Sequence, residues 1–287
     1  MPLTHSPLRR TILLTAIAML AFAGNSLLCR LALAGGHIDP AGFTLIRLAS
    51  GAVMLAVLAG FGRSARRLSG SWPAAAALLA YAAAFSFAYV QLPAGTGAFL
   101  LFAAVQATMI AAGLARGERL TGLQWLGSAL ALAGLAILAA PGADAPPPLS
   151  ALLMIISGVA WGAYSLLGRG TVDALGATAG NFLRALPLAM VVLLPGLLSI
   201  PLPGMIGVIC AVLSGALASG VGYAIWYAAL PGLTPAQGAS VQLSVPVITA
   251  IIGAAALAEP VTWRLGLSSV TILGGIALVI GMRRAAR

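Results

Sequence analysis

The side chains that could carry acid–base or metal chemistry are few and lie far apart in the sequence. The two cysteines, Cys29 and Cys210, stand in separate apolar runs, and their spacing fits neither a disulfide framework nor a metal site. The acidic and histidine residues form no nucleophile–base pair and no cluster of metal ligands. The sequence therefore predicts no catalytic site, no metal and no cofactor. These acidic and histidine residues are Asp39, Glu118, Asp144, Asp173, Glu259, His5 and His37.

The elements that hold these side chains are apolar. Of the 287 residues, 61% are hydrophobic and 7% are charged, and the mean hydropathy is +1.07. This apolar surface exceeds what a water-soluble domain of the same length can bury. A bilayer core needs about 20 helical residues per crossing, so the chain has room for about ten spans. The predicted spans are residues 11–32, 41–61, 73–91, 95–115, 121–140, 149–168, 175–199, 204–227, 236–257 and 264–282.

The basic residues are all arginines, and we interpret them first as topology signals. A net charge of +10 would suggest a nucleic-acid partner in a soluble protein, but in a chain this apolar it predicts none. Arginines concentrate in cytoplasmic loops, so we expect both termini in the cytoplasm and an even number of spans. Arg30 and Arg264 are then outside. The arginines assigned to the cytoplasm are Arg9, Arg10, Arg63, Arg66, Arg67, Arg116, Arg119, Arg169, Arg283, Arg284 and Arg287.

The two halves of the chain repeat each other in order. Residues 26–30 recur as residues 165–169, and Arg47 in the second span corresponds to Arg184 in the seventh. Five spans per half is an odd number, so the second half enters the membrane upside down, as in many transporters. The sequence predicts an all-α integral membrane protein of ten transmembrane helices in two inverted five-helix repeats. The predicted parts are residues 1–140, an extracytoplasmic linker at 141–148, and residues 149–287.

Four arginines and two glutamates occupy matching positions in the two halves, on opposite sides of the membrane. One hypothesis pairs Arg47 with Glu259 at the outer rim. It also pairs Arg184 with Glu118 at the inner rim, so that each pair closes one gate. The alternative is that these residues extend from helix ends toward the polar interface. The candidate gating residues are Arg30, Arg47, Glu118, Arg169, Arg184 and Glu259.

Several runs resemble a known transporter family. Residues 218–230, 244–247 and 258–260 look like the second EamA repeat of the drug/metabolite transporter superfamily, and the first half carries Asn25 and residues 117–121 in the companion pattern. This resemblance implies a bacterial inner-membrane exporter of small metabolites, with amino-acid exporters among the most similar members. It also implies that spans one to four and six to nine surround a central cavity, with spans five and ten outside it.

Polar and aromatic side chains inside the spans are the candidate substrate contacts. Polar atoms within a bilayer must find partners or face water, and aromatic rings supply an adaptable apolar wall. The alternative role for each polar residue is a hydrogen bond between neighbouring helices. The candidate cavity residues are Asn25, Ser26, Phe99, Gln106, Trp161, Tyr164, Tyr223, Trp226, Gln242 and Ser244.

The predicted function is export of a small molecule, foremost an amino acid, through this cavity by alternating access. No acidic residue falls at mid-membrane, so facilitated diffusion is the simpler mechanism than proton relay. The main alternative is an exporter of nucleotide-sugars or of other phosphorylated or drug-like metabolites, with proton coupling left open. A membrane enzyme would need a catalytic cluster that the sequence lacks. A channel stays open as an alternative, although the sequence has no charged ring or filter-like carbonyl loop. The sequence leaves both a monomer and a homodimer open.

Overall fold

Each long apolar run of the sequence folds into a helix. The computed structural model of the protein describes residues 7–60, 69–117, 121–140, 145–197, 202–233, 238 and 241–285, and these residues contain no strand. The helices in chain order are α1 (Pro7–Ala34), α2 (Pro40–Gly60), α3 (Trp72–Tyr89), α4 (Ala94–Ala115), α5 (Gly122–Ala139), α6 (Pro148–Leu167), α7 (Ala174–Leu197), α8 (Met205–Gly232), α9 (Ser244–Leu257) and α10 (Trp263–Ala285).

The length and surface of these helices suit a lipid bilayer. Within the described residues, seven helices are long and apolar enough to cross a membrane, namely α1 to α4 and α6 to α8. The apolar stretches of α5, α9 and α10 are shorter. Large apolar side chains such as Val53, Val191 and Val270 point away from the bundle, where only lipid would cover them. The expected all-helical membrane protein is confirmed, and the count of ten crossings stays a prediction.

Polar side chains fix the helix ends. Ser71 precedes α3 and its hydroxyl accepts a hydrogen bond from the Ala74 backbone N–H. Thr121 and Gln124 form a reciprocal capping box at the start of α5. Asp39 accepts a bond from the Gly42 N–H at the start of α2, at 2.8 Å. Such caps satisfy N–H groups that the first helical turn leaves unpaired, so the apolar runs begin at defined positions.

The helices divide into a body and an outlying pair. Helix α2 packs on α7 and α8, α6 packs on α3 and α4, and α1 packs on α8 and α9. Helices α5 and α10 pack chiefly against each other, and both touch the body through α4. The pair α5–α10 therefore contributes little to the interior that the other helices enclose.

Hydrogen bonds fix the relative direction of α3 and α6. The Ser150 hydroxyl, near the start of α6, donates to the Gln91 side chain, just past the end of α3, at 3.0 Å. Two turns later the Ser157 hydroxyl donates to the Tyr81 carbonyl in the middle of α3, also at 3.0 Å. As α6 advances its partners on α3 recede, so the two helices are antiparallel.

The irregular helical geometry lies in α8. Helix α7 continues unbroken through Pro187 and Pro195. Helix α8 changes from α to π geometry over Leu213–Val221, a stretch rich in Gly, Ala and Ser. A π segment inside an α-helix is unusual and is often found at a functional site.

Candidate functional site

A small cavity lies inside the body of the bundle. Its volume is about 30 Å³, enough for roughly two water molecules. Even the smallest amino acid has five non-hydrogen atoms, so the helices must separate before one can enter. Helices α5 and α10 contribute none of the lining residues that the structure describes. Those lining residues are Phe22, Asn25, Ser26, Tyr81, Phe85, Leu101, Phe102, Trp161, Ala218, Ser219, Tyr223 and Gln242.

Aromatic residues supply half of the cavity lining, and five of their six rings contact one another. The Trp161 ring lies at the centre, with its centroid 4.8 Å from Tyr81, 5.3 Å from Tyr164 and 5.5 Å from Tyr223. Phe22 meets Tyr223 edge to face at 5.8 Å. Rings in stacked and edge-on contact stabilise one another beyond the area they bury. The wall is therefore a continuous apolar surface contributed by α1, α3, α6 and α8.

A chain of polar groups crosses one side of this wall. The Ser214 hydroxyl, in the π segment of α8, donates to Asn25 Oδ1 at 2.6 Å. Asn25 Nδ2 donates to the Tyr81 hydroxyl at 3.3 Å, and Arg47 Nη2 donates to the same hydroxyl at 2.9 Å. The Tyr81 oxygen thus accepts two hydrogen bonds, and its own proton is left to donate elsewhere.

Arg47 lies in the interior of the bundle, only 1% exposed. Its guanidinium carbon is 5.1 Å from the centre of the Tyr81 ring and 5.0 Å from that of Phe85, and Nη1 has no hydrogen-bond partner among the described residues. The expected Arg47–Glu259 pair is therefore wrong. Glu259 bonds to Arg30 instead, because Arg47 turns inward onto the aromatic wall.

The Arg30–Glu259 ion pair joins four helices. Arg30 Nε donates to Glu259 Oε1 at 2.9 Å, and Arg30 Nη1 donates to the Tyr89 and Val90 carbonyls at the end of α3. The second carboxylate oxygen of Glu259 accepts the Ala94 N–H at the start of α4, at 2.7 Å. A carboxylate is favourable at a helix N-terminus, so this cluster holds α1, α3, α4 and the end of α9 together.

This ion pair lies directly beyond the cavity. Arg30 follows the cavity residue Ser26 by one turn of α1, and Tyr89 follows Phe85 by one turn of α3. One helical turn is about 5.4 Å, so the ion pair lies just past the end of the cavity toward which α3 runs.

A cluster of hydroxyl groups lies beyond the opposite end of the cavity. Tyr164 follows Trp161 by about one turn of α6, and α6 runs antiparallel to α3. The Tyr164 hydroxyl donates to Thr178 Oγ1 at 3.4 Å, and Thr178 shares a hydrogen bond with the Tyr227 hydroxyl at 2.9 Å. These bonds join α6, α7 and α8 beneath the cavity.

Two residues of α7 hold the segment before α3 at the same end. Arg184 Nη1 donates to the Ser69 carbonyl at 2.8 Å, and Asn181 Oδ1 accepts the Ser71 N–H at 2.9 Å. The predicted partner of Arg184, Glu118, lies outside the described residues. Arg169 is exposed in the turn after α6.

Half of the candidate cavity residues reach the cavity, although a role in substrate binding stays a prediction for each. The five that line it are Asn25, Ser26, Trp161, Tyr223 and Gln242.

The other five candidates lie outside the cavity lining. Phe99 is buried in the hydrophobic core, and Gln106 is half-buried one turn beyond Phe102 on α4. Trp226 packs against Phe22, and the Ser244 hydroxyl bonds to the Val241 carbonyl. Tyr164 belongs to the hydroxyl cluster below the cavity.

Sequence reasoning missed the contribution of α3. Tyr81 and Phe85 both line the cavity, yet they belong to an alanine-rich helix that has few polar residues to mark a cavity-facing side. Their spacing of four residues, continued by Tyr89, places three aromatic rings on one helix face. That spacing was the available signal.

A helical membrane bundle around an aromatic and amide-lined cavity is the design of a small-molecule membrane transporter. The profile of the EamA-like transporter family matches residues 9–140 and 148–281. The chain belongs to this family and is a multi-pass membrane protein, which confirms the resemblance inferred from the sequence.

Relatives extend over most or all of the chain. An uncharacterized protein of Pseudomonas aeruginosa is 60% identical over 284 residues, covering 98% of this chain and 99% of the relative. A protein of Streptantibioticus cattleyicolor, named a probable terminal-alkyne amino-acid exporter, is 30% identical over 233 residues, covering 76% of each chain. A crystal structure of a protein with 22% identity shares the fold, with a TM-score of 0.64 over 94% of this chain and 98% of that one.

Proposed function

We propose that the protein exports small metabolites, foremost amino acids, across the bacterial inner membrane through the central cavity. The observation that carries this proposal is the cavity itself, which has an aromatic wall, a few fixed polar groups and a group of hydrogen-bonded side chains beyond each end. Small-molecule sites generally combine a mainly apolar wall with few polar groups that set orientation. The name of the Streptantibioticus cattleyicolor relative agrees with an amino-acid substrate.

The cavity chemistry suits an amino acid with an apolar side chain. Such a side chain would pack on the rings of Trp161 and Tyr223. The ammonium group of the amino acid needs hydrogen-bond acceptors, and the side-chain oxygens of Gln242 and Ser219, which line the cavity, can serve as these acceptors. Gln242 Nε2 donates to the Gly238 carbonyl, so the Gln242 side-chain oxygen can accept a hydrogen bond from a substrate.

The groups beyond the two ends of the cavity fit an alternating-access mechanism. In the cycle that we propose, the Arg30–Glu259 ion pair seals the outer side and the Tyr164 hydroxyl cluster with Arg184 seals the inner side. The ten-span inverted repeat predicts that α1 and its counterpart α6 run in opposite directions. Inverted repeats let one set of helices rock against the other around a fixed site.

The arginine distribution supports an orientation with both termini in the cytoplasm. With α1 starting there, the end of α3 and the Arg30–Glu259 ion pair lie on the outer side. Glu259 gives the outer arginine Arg30 a local reason to depart from the positive-inside trend.

Facilitated diffusion is the proposed energetic mode. None of the described cavity-lining residues is acidic or a histidine, so the lining offers no group that would carry a proton through the cycle. Net export would then follow the substrate gradient alone.

The test is flux of radiolabelled amino acids in proteoliposomes, with and without an imposed pH gradient. We expect the full-length protein to catalyse flux of neutral apolar amino acids at the same initial rate in both conditions. Asn25→Ala removes a polar group from the cavity and should reduce this flux at least about tenfold, the cost of one hydrogen bond of about 1.4 kcal/mol.

Ser128→Ala is the matched control. Ser128 is buried in α5, away from the cavity, and its hydroxyl bonds within its own helix to the Gln124 carbonyl. We expect normal flux from this variant. Absence of flux for every amino acid would refute the proposed substrate class, and flux that requires the pH gradient would refute facilitated diffusion.

A further inference from the structure

We propose that Arg47 and Tyr81 form a carboxylate-binding site, and that the molecule carried through the cavity is held by its carboxylate group there. This inference rests on the proposed transport function, because it names the group by which the cavity would recognise its substrate. The site differs from the expected role of Arg47 in a rim ion pair.

The first observation is a buried cation that bonds to no carboxylate among the described residues. A guanidinium stays protonated in proteins, so Arg47 brings a full positive charge to a position 1% exposed. Of the acidic residues that the structure describes, Glu259 bonds to Arg30, and Asp39 and Asp173 accept backbone N–H groups at helix starts. None of the three bonds to Arg47.

The second observation is unused hydrogen-bonding capacity. Arg47 Nη1 is buried and has no hydrogen-bond partner among the described residues, while Nη2 donates one hydrogen bond to the Tyr81 hydroxyl. The rings of Tyr81 and Phe85 attract the cation but accept no conventional hydrogen bond. A buried donor left unpaired is costly, so a ligand that satisfied it would bind favourably.

The third observation is the link from this cation to the cavity. Tyr81 lines the cavity and accepts bonds from both Asn25 Nδ2 and Arg47 Nη2, so its hydroxyl proton must seek another acceptor. A carboxylate oxygen in the cavity can accept that proton. When the cavity widens to admit a substrate, the second carboxylate oxygen can take the bond that Arg47 Nη1 lacks.

Charge favours a carboxylate over a phosphate. A carboxylate carries one negative charge and balances the single charge of Arg47. A phosphate monoester carries about −1.5 to −2 at neutral pH and would leave an excess anion inside the membrane. This charge balance therefore favours amino acids or other organic acids over phosphorylated metabolites.

The test is a binding measurement by isothermal titration calorimetry on the full-length protein in detergent. The probes share one branched alkyl group and differ in the head group: L-leucine, L-leucinamide, isocaproate and isopentyl phosphate. We expect the wild type to bind L-leucine and isocaproate at least about tenfold more tightly than L-leucinamide, because only the carboxylate satisfies Arg47. Isopentyl phosphate should bind more weakly than isocaproate.

The variants are Arg47→Gln, Arg47→Lys and Tyr81→Phe. We expect Arg47→Gln to abolish the preference for acid over amide, Tyr81→Phe to reduce it through loss of the hydroxyl donor, and Arg47→Lys to keep part of it through the retained charge. Arg264→Gln is the matched control. Arg264 lies on α10 and donates to the Ala140 carbonyl, away from the cavity, so the preference should be unchanged.

Three results would overturn the site. They are equal binding of acid and amide by the wild type, an acid preference that survives both Arg47→Gln and Tyr81→Phe, and tighter binding of the phosphate than of isocaproate. If Arg47→Gln fails to fold, the Tyr81→Phe variant and the comparison of acid with amide binding by the wild type still test the carboxylate site. An acid preference that depends on Arg47, found with no amino-acid flux in proteoliposomes, would refute the transport proposal and leave the carboxylate site standing.

Discussion

Weakening the Arg30–Glu259 ion pair should open the end of the cavity that lies next to it. The perturbation is Glu259→Gln, which keeps the shape of the side chain and removes its charge. In the closed protein the Glu259 carboxylate accepts two bonds, from Arg30 Nε at 2.9 Å and from the Ala94 N–H at 2.7 Å. An amide has one oxygen, so the variant keeps one of these bonds in good geometry and loses the other.

The expected magnitude follows from the environment of the pair. A hydrogen bond to a charged group contributes about 1.5–3 kcal/mol, and an exposed ion pair contributes less than about 1 kcal/mol. The side chains of Arg30 and Glu259 are 18% and 11% exposed, so we expect the energy of this ion pair to lie between those two limits. We take about 2 kcal/mol, which corresponds to a roughly thirtyfold fall in the ratio of closed to open protein.

The assay is labelling of a single cysteine in the cavity by a membrane-impermeant thiol reagent applied from outside. Ser219 lines the cavity, so Ser219→Cys is the reporter. The native Cys29 and Cys210 are buried and form no disulfide, and both are replaced by alanine. If labelling proceeds through the open state, the rate follows its population, and Glu259→Gln should accelerate labelling roughly thirtyfold.

Asp39→Asn is the control for the charge change. Asp39 also accepts a backbone N–H at a helix start, from Gly42 at 2.8 Å, and forms no ion pair in the described residues. Its amide variant should label at the original rate. An unchanged labelling rate in a folded Glu259→Gln protein would refute the view that this ion pair keeps the outer end closed.

Two further predictions concern the π segment of α8. Gly215→Ala should destabilise the protein by about 1–3 kcal/mol, because a Cβ at this position would collide with the Arg47 carbonyl oxygen. Gly24→Ala is the control, and it should be neutral or stabilising because a Cβ there meets no other atom. Thermal unfolding in detergent compares the two variants. Ser214→Ala should cost about 1–3 kcal/mol in the same assay, because it leaves Asn25 Oδ1 without its donor, and an unchanged melting temperature would contradict this.

The helices could be predicted from the sequence because each is an apolar run bounded by breaking residues. The predicted span at 41–61 corresponds to α2 at Pro40–Gly60, and the span at 149–168 corresponds to α6 at Pro148–Leu167. Prolines start both helices, and about 20 apolar residues follow in each. Nothing in such a run signals the π segment of α8, which packs against α2.

The partners of charged residues could not be predicted in the same way. Helical periodicity places Arg47 on a face of α2, but it does not say which helix that face meets. The rim position predicted an ion pair with Glu259, whereas the side chain turns onto Tyr81 and Phe85. The spacing of Tyr81, Phe85 and Tyr89 indicates an aromatic face on α3, but only the assembled helices show that this face meets Arg47.

The same helices carry the cavity wall and the Arg30–Glu259 ion pair, so substrate binding and the opening of this ion pair should be coupled. Helix α1 places Asn25 in the wall and Arg30 in the ion pair, and α3 does the same with Phe85 and Tyr89. The cavity of about 30 Å³ is too small for an amino acid. Binding therefore draws on the open population, and the apparent dissociation constant is the intrinsic one divided by the open fraction.

A weaker ion pair should then tighten substrate binding. If the closed state predominates in the wild type, Glu259→Gln should lower the dissociation constant for L-leucine by up to the same roughly thirtyfold factor that raises labelling, because both report one equilibrium. Titration calorimetry of both proteins measures it, with Asp39→Asn as the unchanged reference. Faster labelling with an unaltered dissociation constant would show that the closed state itself binds substrate. The contracted cavity would then be the binding site, and its rings would have to rearrange locally rather than separate with their helices.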